Sequence, residues 1–245
     1  MIDFEHCTKG YSSLARKAVN DLTLHIEGGQ IFGFLGPNGA GKSTTIKMLV
    51  GMLHSDSGMI TIDGKKFEGD GRDVKSLLGY VPDEPLFYDK MTAYRHLNFI
   101  GDVFGIPLEE RQLQIDTLSE RFELKDSLSD EIGSFSHGMK QKLAVISALL
   151  HSPKLLVLDE PMVGLDPKAA FLLKQTMRMY ADQGNTVFFS THIMEVAQDV
   201  CDRIGIIDKG TLLFDGTVKE LQTQKGKGNE NLEQLFLDLT KGDKH

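Results

Sequence analysis

The run GPNGAGKS from Gly36 to Ser43 constrains this chain more than any other feature. It fits G-x-x-x-x-G-K-[ST], a loop whose backbone N–H groups cradle phosphates while its lysine reaches the β/γ oxygens and its hydroxyl holds Mg²⁺. The mechanism requires a strand before the loop and a helix after it. Gln30 to Leu35 predicts the strand, and Ile46, Leu49 and Val50, on one helical face, predict the helix. Lys42 is then expected against the β- and γ-phosphates and Ser43 on Mg²⁺. Gly39, Gly41 and Thr44 present N–H groups at the helix N-terminus, and Gly36, Pro37, Asn38 and Ala40 complete the loop.

A second glycine turn, FSHGMKQ at Phe135 to Gln141, lies shortly before LLVLDE, an apolar run ending in two acids. Ser136 is expected to N-cap a helix carrying Leu143, Ile146 and Leu150, which Pro153 helps to end. The wholly apolar strand Leu155 to Leu158 delivers Asp159 to its C-terminal edge, where open α/β sheets bind ligands, and Asp159 is assigned to Mg²⁺ support. Glu160, one residue further out, is assigned as the general base that polarises an attacking water. The two turns together suggest a nucleotide held between two copies of the chain.

Elsewhere, Val19 to Phe34 alternates apolar and polar residues around Gly28-Gly29 and predicts a β-hairpin leading into the phosphate loop. Met59 to Ile62, with a turn at Asp63-Gly64, and Gly79 to Pro82 predict further strands. From Thr92 the spacing is helical, with Leu97, Ile100 and Phe104 in register, and a second helix from about Pro107 points Leu113, Leu118 and Phe122 inward. Strands return at Val187 to Phe189 and Ile204 to Ile207, so the sheet is expected to be mainly parallel and covered on both faces. Thr240 to Asp243 spells a guanine-reading element, but it follows Leu232, Leu235, Phe236 and Leu239 at helical spacing instead of a core strand, and is read as a charged tail.

Composition narrows the partners. A net charge of −8 gives no basic stripe for nucleic acid, and the clusters at Lys65-Lys66 and Lys225 to Lys227 read as solvated surface. Apolar stretches such as Leu143 to Leu150, interrupted by Ser147, fall well short of the ~20 residues that span a bilayer, so no direct membrane insertion is expected. The N-terminus MIDFEHCTKG carries no secretory pattern, which predicts a cytoplasmic chain, and Cys7 and Cys201 are expected to pack as thiols.

From about Tyr11 to Gly216 these residues resemble the ATP-binding subunits of ABC transporters. FSHGMKQ is similar to that family's signature turn, normally LSGGQ: Ser136 and Gly138 match, while Phe135, His137 and Met139 depart. The resemblance implies that Ser136 and Gly138 contact the γ-phosphate bound to the opposite subunit. Gly164-Leu165-Asp166 resembles the loop whose acid contacts the partner and shapes its hydrolytic site. His192 resembles the switch histidine that meets the γ-phosphate and the attacking water, and Tyr11 resembles the aromatic residue that stacks on adenine. Asp83 stands where relatives carry a glutamine, with Glu84 beside it. Aspartate is shorter and, when ionised, only accepts, so its share in placing Mg²⁺ and water is altered.

The resemblance implies an α/β P-loop NTPase with a RecA-like core, an N-terminal antiparallel β subdomain and an inserted helical subdomain at about residues 86–150. The nucleotide-binding domain is expected at 1–217 and a short helical tail at 218–245. It further implies ATP and Mg²⁺ as cofactors, and a head-to-tail homodimer or a pair with a similar ATPase subunit. Membrane-embedded subunits, served from the inner face of the membrane, would move the cargo. The S-H-G-M-K-Q run, the V-G-L-D-P turn and the short tail resemble exporter subunits of the ABC-2 type. The alternatives are a soluble ABC ATPase acting on ribosome or DNA and a small-molecule kinase. Salt-dependent nucleic-acid binding would mark the first and a phosphorylated product the second.

Overall fold

The computed structural model describes residues 1–12, 16–69, 71–224 and 231–240. Lys225 to Lys227 and Lys241 to Asp243, singled out above, lie outside the described residues. The chain opens with β1 (Ile2–Lys9), β2 (Val19–Ile26), β3 (Ile31–Leu35), α1 (Lys42–Leu49), β4 (Ser57–Ile62), β5 (Lys65–Lys66), α2 (Arg72–Lys75) and β6 (Leu78–Val81). Helices α3 (Ala93–Val103), α4 (Leu108–Arg121) and α5 (His137–Leu149) follow. Then come β7 (Leu155–Leu158), α6 (Pro167–Asp182), β8 (Thr186–Thr191), α7 (Met194–Val200), β9 (Arg203–Asp208), β10 (Thr211–Gly216), α8 (Val218–Gln224) and α9 (Leu232–Thr240).

Two sheets result. One has the order β10-β9-β3-β8-β7-β6, parallel except for β10, and the other is the antiparallel sheet β2-β1-β4-β5. Every residue of β3, β7 and β8 is buried, as strands covered on both faces require. Their period of two divides the core. Phe32, Phe34, Val157 and Phe188 join the cluster beneath the antiparallel sheet, whereas Leu156, Leu158, Val187 and Phe189 join the cluster with α5 and α6. Phe188 stacks on Phe32 with ring centroids 5.8 Å apart and meets Phe34 at 5.5 Å.

The predicted hairpin does not form. Val19–Ile26 pairs with β1, while Ile31–Leu35 lies between β8 and β9, so Gly28-Gly29 hands the chain from one sheet to the other. The burial of β3 on both faces decides this, because a hairpin partner of β2 would keep one face in water. Leu113 is likewise not inward: it is 66% exposed, on the opposite side of α4 from Ile115, Leu118 and Phe122. The spacing around 107–122 identifies the helix and the inward Leu118 and Phe122, and errs at Leu113, where Ile115 takes the buried position instead.

Thr92 caps α3 by accepting from the Arg95 N–H at 3.3 Å. Helix α3 rests on α5 and the residues after it. His96 Nε2 lies 3.2 Å from Ser147 Oγ, and Phe104 stacks on His151 at 3.7 Å. α5 in turn lies against the sheet, so close that a Cβ at Gly79 would come within 2.4 Å of the Ala148 carbonyl. The tail packs back as well, with Leu232 and Leu235 buried beside Met194 and Ala197 of α7.

Candidate active site at the sheet edge

Strand β3 ends at Leu35 and α1 starts at Lys42, so the phosphate loop occupies the predicted turn between them. Gly41 sits at the helix N-cap with φ +115°, and a Cβ there would lie 2.3 Å from the Ala18 carbonyl, which only glycine tolerates. The N-terminus of α1 carries no acid in its first turn and no side-chain cap. Its free N–H groups and partial positive charge therefore face the loop, a ready anion site. A cleft of about 420 Å³ opens there, lined by Tyr11, Arg16, Asn38, Gly39, Gly41, Lys42, Ser43, Thr44, Asp83 and Glu160 among others.

Lys42 is buried, and its ammonium donates to the Gly36 carbonyl at 2.8 Å, lies 3.4 Å from that of Pro37, and pairs with Glu160 Oε1 at 3.2 Å. The second Glu160 oxygen is 3.0 Å from His192 Nδ1. Glu160 itself is held at φ +46°, a left-handed conformation that costs a non-glycine residue about 1 kcal/mol and recurs at functional sites. Ser190 braces both acids: its hydroxyl donates to Asp159 Oδ1 at 2.6 Å and accepts from the Glu160 N–H at 3.0 Å. Ser43 Oγ reaches the same Asp159 oxygen at 3.4 Å. Burial pushes the Asp159 carboxyl above the usual range, while the Ser190 and Ser43 hydroxyls pull it back and the charges of Asp83 and Glu160 add to the rise.

Asp83 lines the cleft and accepts from the Glu84 N–H at 3.0 Å. Tyr11 stands in the loop just after β1, 38% exposed, with its hydroxyl 3.4 Å from Thr44 Oγ1. The structure thus brings Tyr11, the loop, Asp83, Asp159, Glu160 and His192 to one place. Ser136, Gly138 and Asp166 lie elsewhere. Ser136 caps α5 by accepting from the Met139 N–H at 3.3 Å, and Asp166 caps α6 through the Lys168 and Ala169 N–H groups at 2.9 and 3.0 Å. None of the three lines the cleft, yet Gly138 and the Asp166 loop adjoin, because a Cβ on Gly138 would sit 3.9 Å from the Gly164 carbonyl.

Sequence reasoning assigned no role to Ser190 or Arg16. Ser190 had a signal in hindsight, a hydroxyl directly after the apolar run Val187 to Phe189 and two residues before His192. Arg16 is surrounded by no motif and becomes visible only when the chain folds it over the loop.

This geometry defines a P-loop nucleotide-hydrolysing site: an anion cradle, a buried lysine, and a carboxylate oriented by an imidazole. Residues 19–163 match the ABC transporter family. The chain is 34% identical to the ABC transporter ATP-binding protein NatA of Bacillus subtilis (strain 168) over 97% of both chains. It is 37% identical to the linearmycin resistance ATP-binding protein LnrL of the same strain, over 92% of this chain and 72% of that one. A solved ATP-binding subunit of an ABC transporter superposes with a TM-score of 0.92 at 32% identity, covering 98% of this chain and 99% of the other. The chain belongs to the ABC transporter ATP-binding family and is an ATPase subunit of that kind.

Proposed function

We propose that the chain powers export through separate membrane subunits by clamping ATP between two head-to-tail ATPase copies. The observation that carries this is the incompleteness of the cleft: one chain supplies the loop, Lys42, Glu160 and His192, while its own Ser136 and Gly138 lie away from them, exposed or half-exposed. A second copy would bring its Ser136 helix N-terminus to the γ-phosphate. Export, as opposed to uptake, is supported by the Nod factor export ATP-binding protein I of Burkholderia thailandensis, 34% identical over 90% of this chain.

The Lys42 ammonium lies 3.2 Å from Glu160 Oε1, so one cation serves both this carboxylate and the phosphate-binding loop. Phosphate entering the loop competes for the ammonium, and the released Glu160 turns to the attacking water while His192 fixes its other oxygen. Tyr11 stacks on adenine, and Gly36 to Thr44 hold the phosphates through backbone N–H groups. Ser43, Asp159 and Asp83 form an all-oxygen set suited to Mg²⁺. Mg²⁺ commonly takes one or two carboxylates and completes its shell with phosphate oxygens and water. When bound, the ion would draw off charge from the β- and γ-phosphate oxygens. Asp166 is assigned to the partner contact.

No helix among the described residues is long and apolar enough to cross a membrane. The proposed position is peripheral, on the cytoplasmic face, through the membrane subunits. A hollow of about 420 Å³ between α1, β6, α3 and α5, lined by Met52, Leu78, Tyr80, Phe104 and His151, is the proposed seat for a cytoplasmic helix of the membrane subunit. Tyr88 and Phe99, 75% and 52% exposed, supply further apolar surface in the same segment of the chain. Crosslinkers at these two positions should capture that subunit. The clamp is tested with Glu160→Gln and MgATP. Sedimentation should show a stable dimer without turnover, whereas a monomer at every concentration overturns the two-copy site.

A further inference from the structure

One buried side chain has no work in the fold. Gln141 is 1% exposed, and neither its Oε1 nor its Nε2 has a hydrogen-bond partner among the described residues. Buried amides are almost always bonded, so a doubly orphaned one marks a group whose partners belong to another state. Its position indicates which state. Residues 137, 138 and 141 share a face of α5 by helical spacing. The first two meet Gly164: a Cβ on Gly164 would lie 2.5 Å from His137 Cδ2, and Gly138 approaches the Gly164 carbonyl. Gln141 therefore lies one turn deeper on the face turned to the loop that joins Glu160 to Asp166.

That loop has room to change. It contains two left-handed residues, Glu160 and Gly164. Its internal backbone bonds are long, 3.2 Å from the Val163 N–H to the Glu160 carbonyl and 3.4 Å from the Leu165 N–H to that of Met162. Met162 beneath it is buried in the same cluster as Leu143 and Ala144 of α5. A push on the N-terminus of α5 is consequently transmitted to the loop by packed atoms.

We propose that Gln141 is a positioning residue that ties the two halves of each chain's work together. When the Ser136 turn engages phosphate on the partner, the amide of Gln141 bonds the backbone of residues 161–165 and fixes Glu160 for hydrolysis at the chain's own nucleotide. This rests on the two-copy reading, and it adds a named coupling between the two nucleotides.

The test is Gln141→Leu, with Gln141→Met as a second variant should the branched side chain pack poorly. Each is assayed in the full chain for melting temperature and for ATP turnover across ATP concentrations. A residue that serves only the fold would lower the melting temperature, with kcat following the folded fraction. The coupling role predicts the reverse: melting unchanged or raised because the orphan is gone, KM within about twofold, kcat down by roughly tenfold, and the Hill coefficient reduced toward one. Unchanged kcat and Hill coefficient in both variants, beside an active wild type, overturn the role of Gln141 and leave the two-copy site standing. A wild-type chain whose turnover shows no dependence on dimer formation overturns both.

Discussion

Lys42, Glu160 and His192 form a relay whose members are each satisfied by the next. Lys42→Ala removes the ammonium paired with Glu160 and should weaken MgATP binding by at least about tenfold, a loss of roughly 1.4 kcal/mol, measurable by fluorescent-nucleotide titration. Ser190→Ala is the more informative change, because it breaks two bonds at once: the Asp159 carboxylate loses its 2.6 Å donor and the Glu160 N–H its acceptor. Turnover should fall by about 10²-fold with a stability loss of about 1–3 kcal/mol, read from steady-state kinetics and urea unfolding. Asp83→Gln should raise the Mg²⁺ concentration needed for half-maximal turnover while ATP affinity in excess Mg²⁺ stays near wild type. Most of this site was legible from residue types and order, since the loop, Asp159, Glu160 and His192 each follow a strand end. Ser190 and Arg16 were not, because a serine or arginine acquires meaning only from what the fold sets beside it.

Among the elements, α3 is held by two histidines that titrate. Burial pushes His96 and His151 below the ordinary value of 6.5. His151 already donates from Nε2 to the Leu78 carbonyl at 2.9 Å, and its buried Nδ1 has no acceptor for a second proton among the described residues. The unfolded chain binds protons at these sites near pH 6.5 and the folded chain only below that. Stability is accordingly full above this value and falls as pH drops through it, until the folded histidines protonate too. Melting temperature should decline from about pH 7 to about pH 5.5, and a His96→Gln, His151→Gln double variant should flatten the slope. The element predictions that failed did so for a shared reason. The alternation in Val19 to Phe34 and the spacing through Leu113 report local periodicity, whereas sheet membership and the inward face depend on which neighbours arrive from 150 residues away, as β8 does for β3.

At the scale of the molecule, the mainly parallel sheet could be read from the alternation of apolar strands and helices, and its edge position for the site followed. The second sheet was implied only by the family resemblance, as an N-terminal antiparallel β subdomain, because β1 and β4 pair across two strands and a helix and their residues carry no mark of it. The cleft spans elements of both regions, from Tyr11 after β1 to Glu160 after β7, so nucleotide bound there as proposed should stabilise the whole fold. MgATP at about a hundred times its dissociation constant should add ~2.7 kcal/mol, which raises the melting temperature by several degrees. Partition of the cleft between two copies, as proposed, would have a genetic consequence. Two defective versions of this polypeptide, one lacking the Lys42 ammonium and the other the Ser136 hydroxyl, should each be inactive alone. Mixed together they would complement, since the heterodimer rebuilds one intact catalytic compartment out of the two.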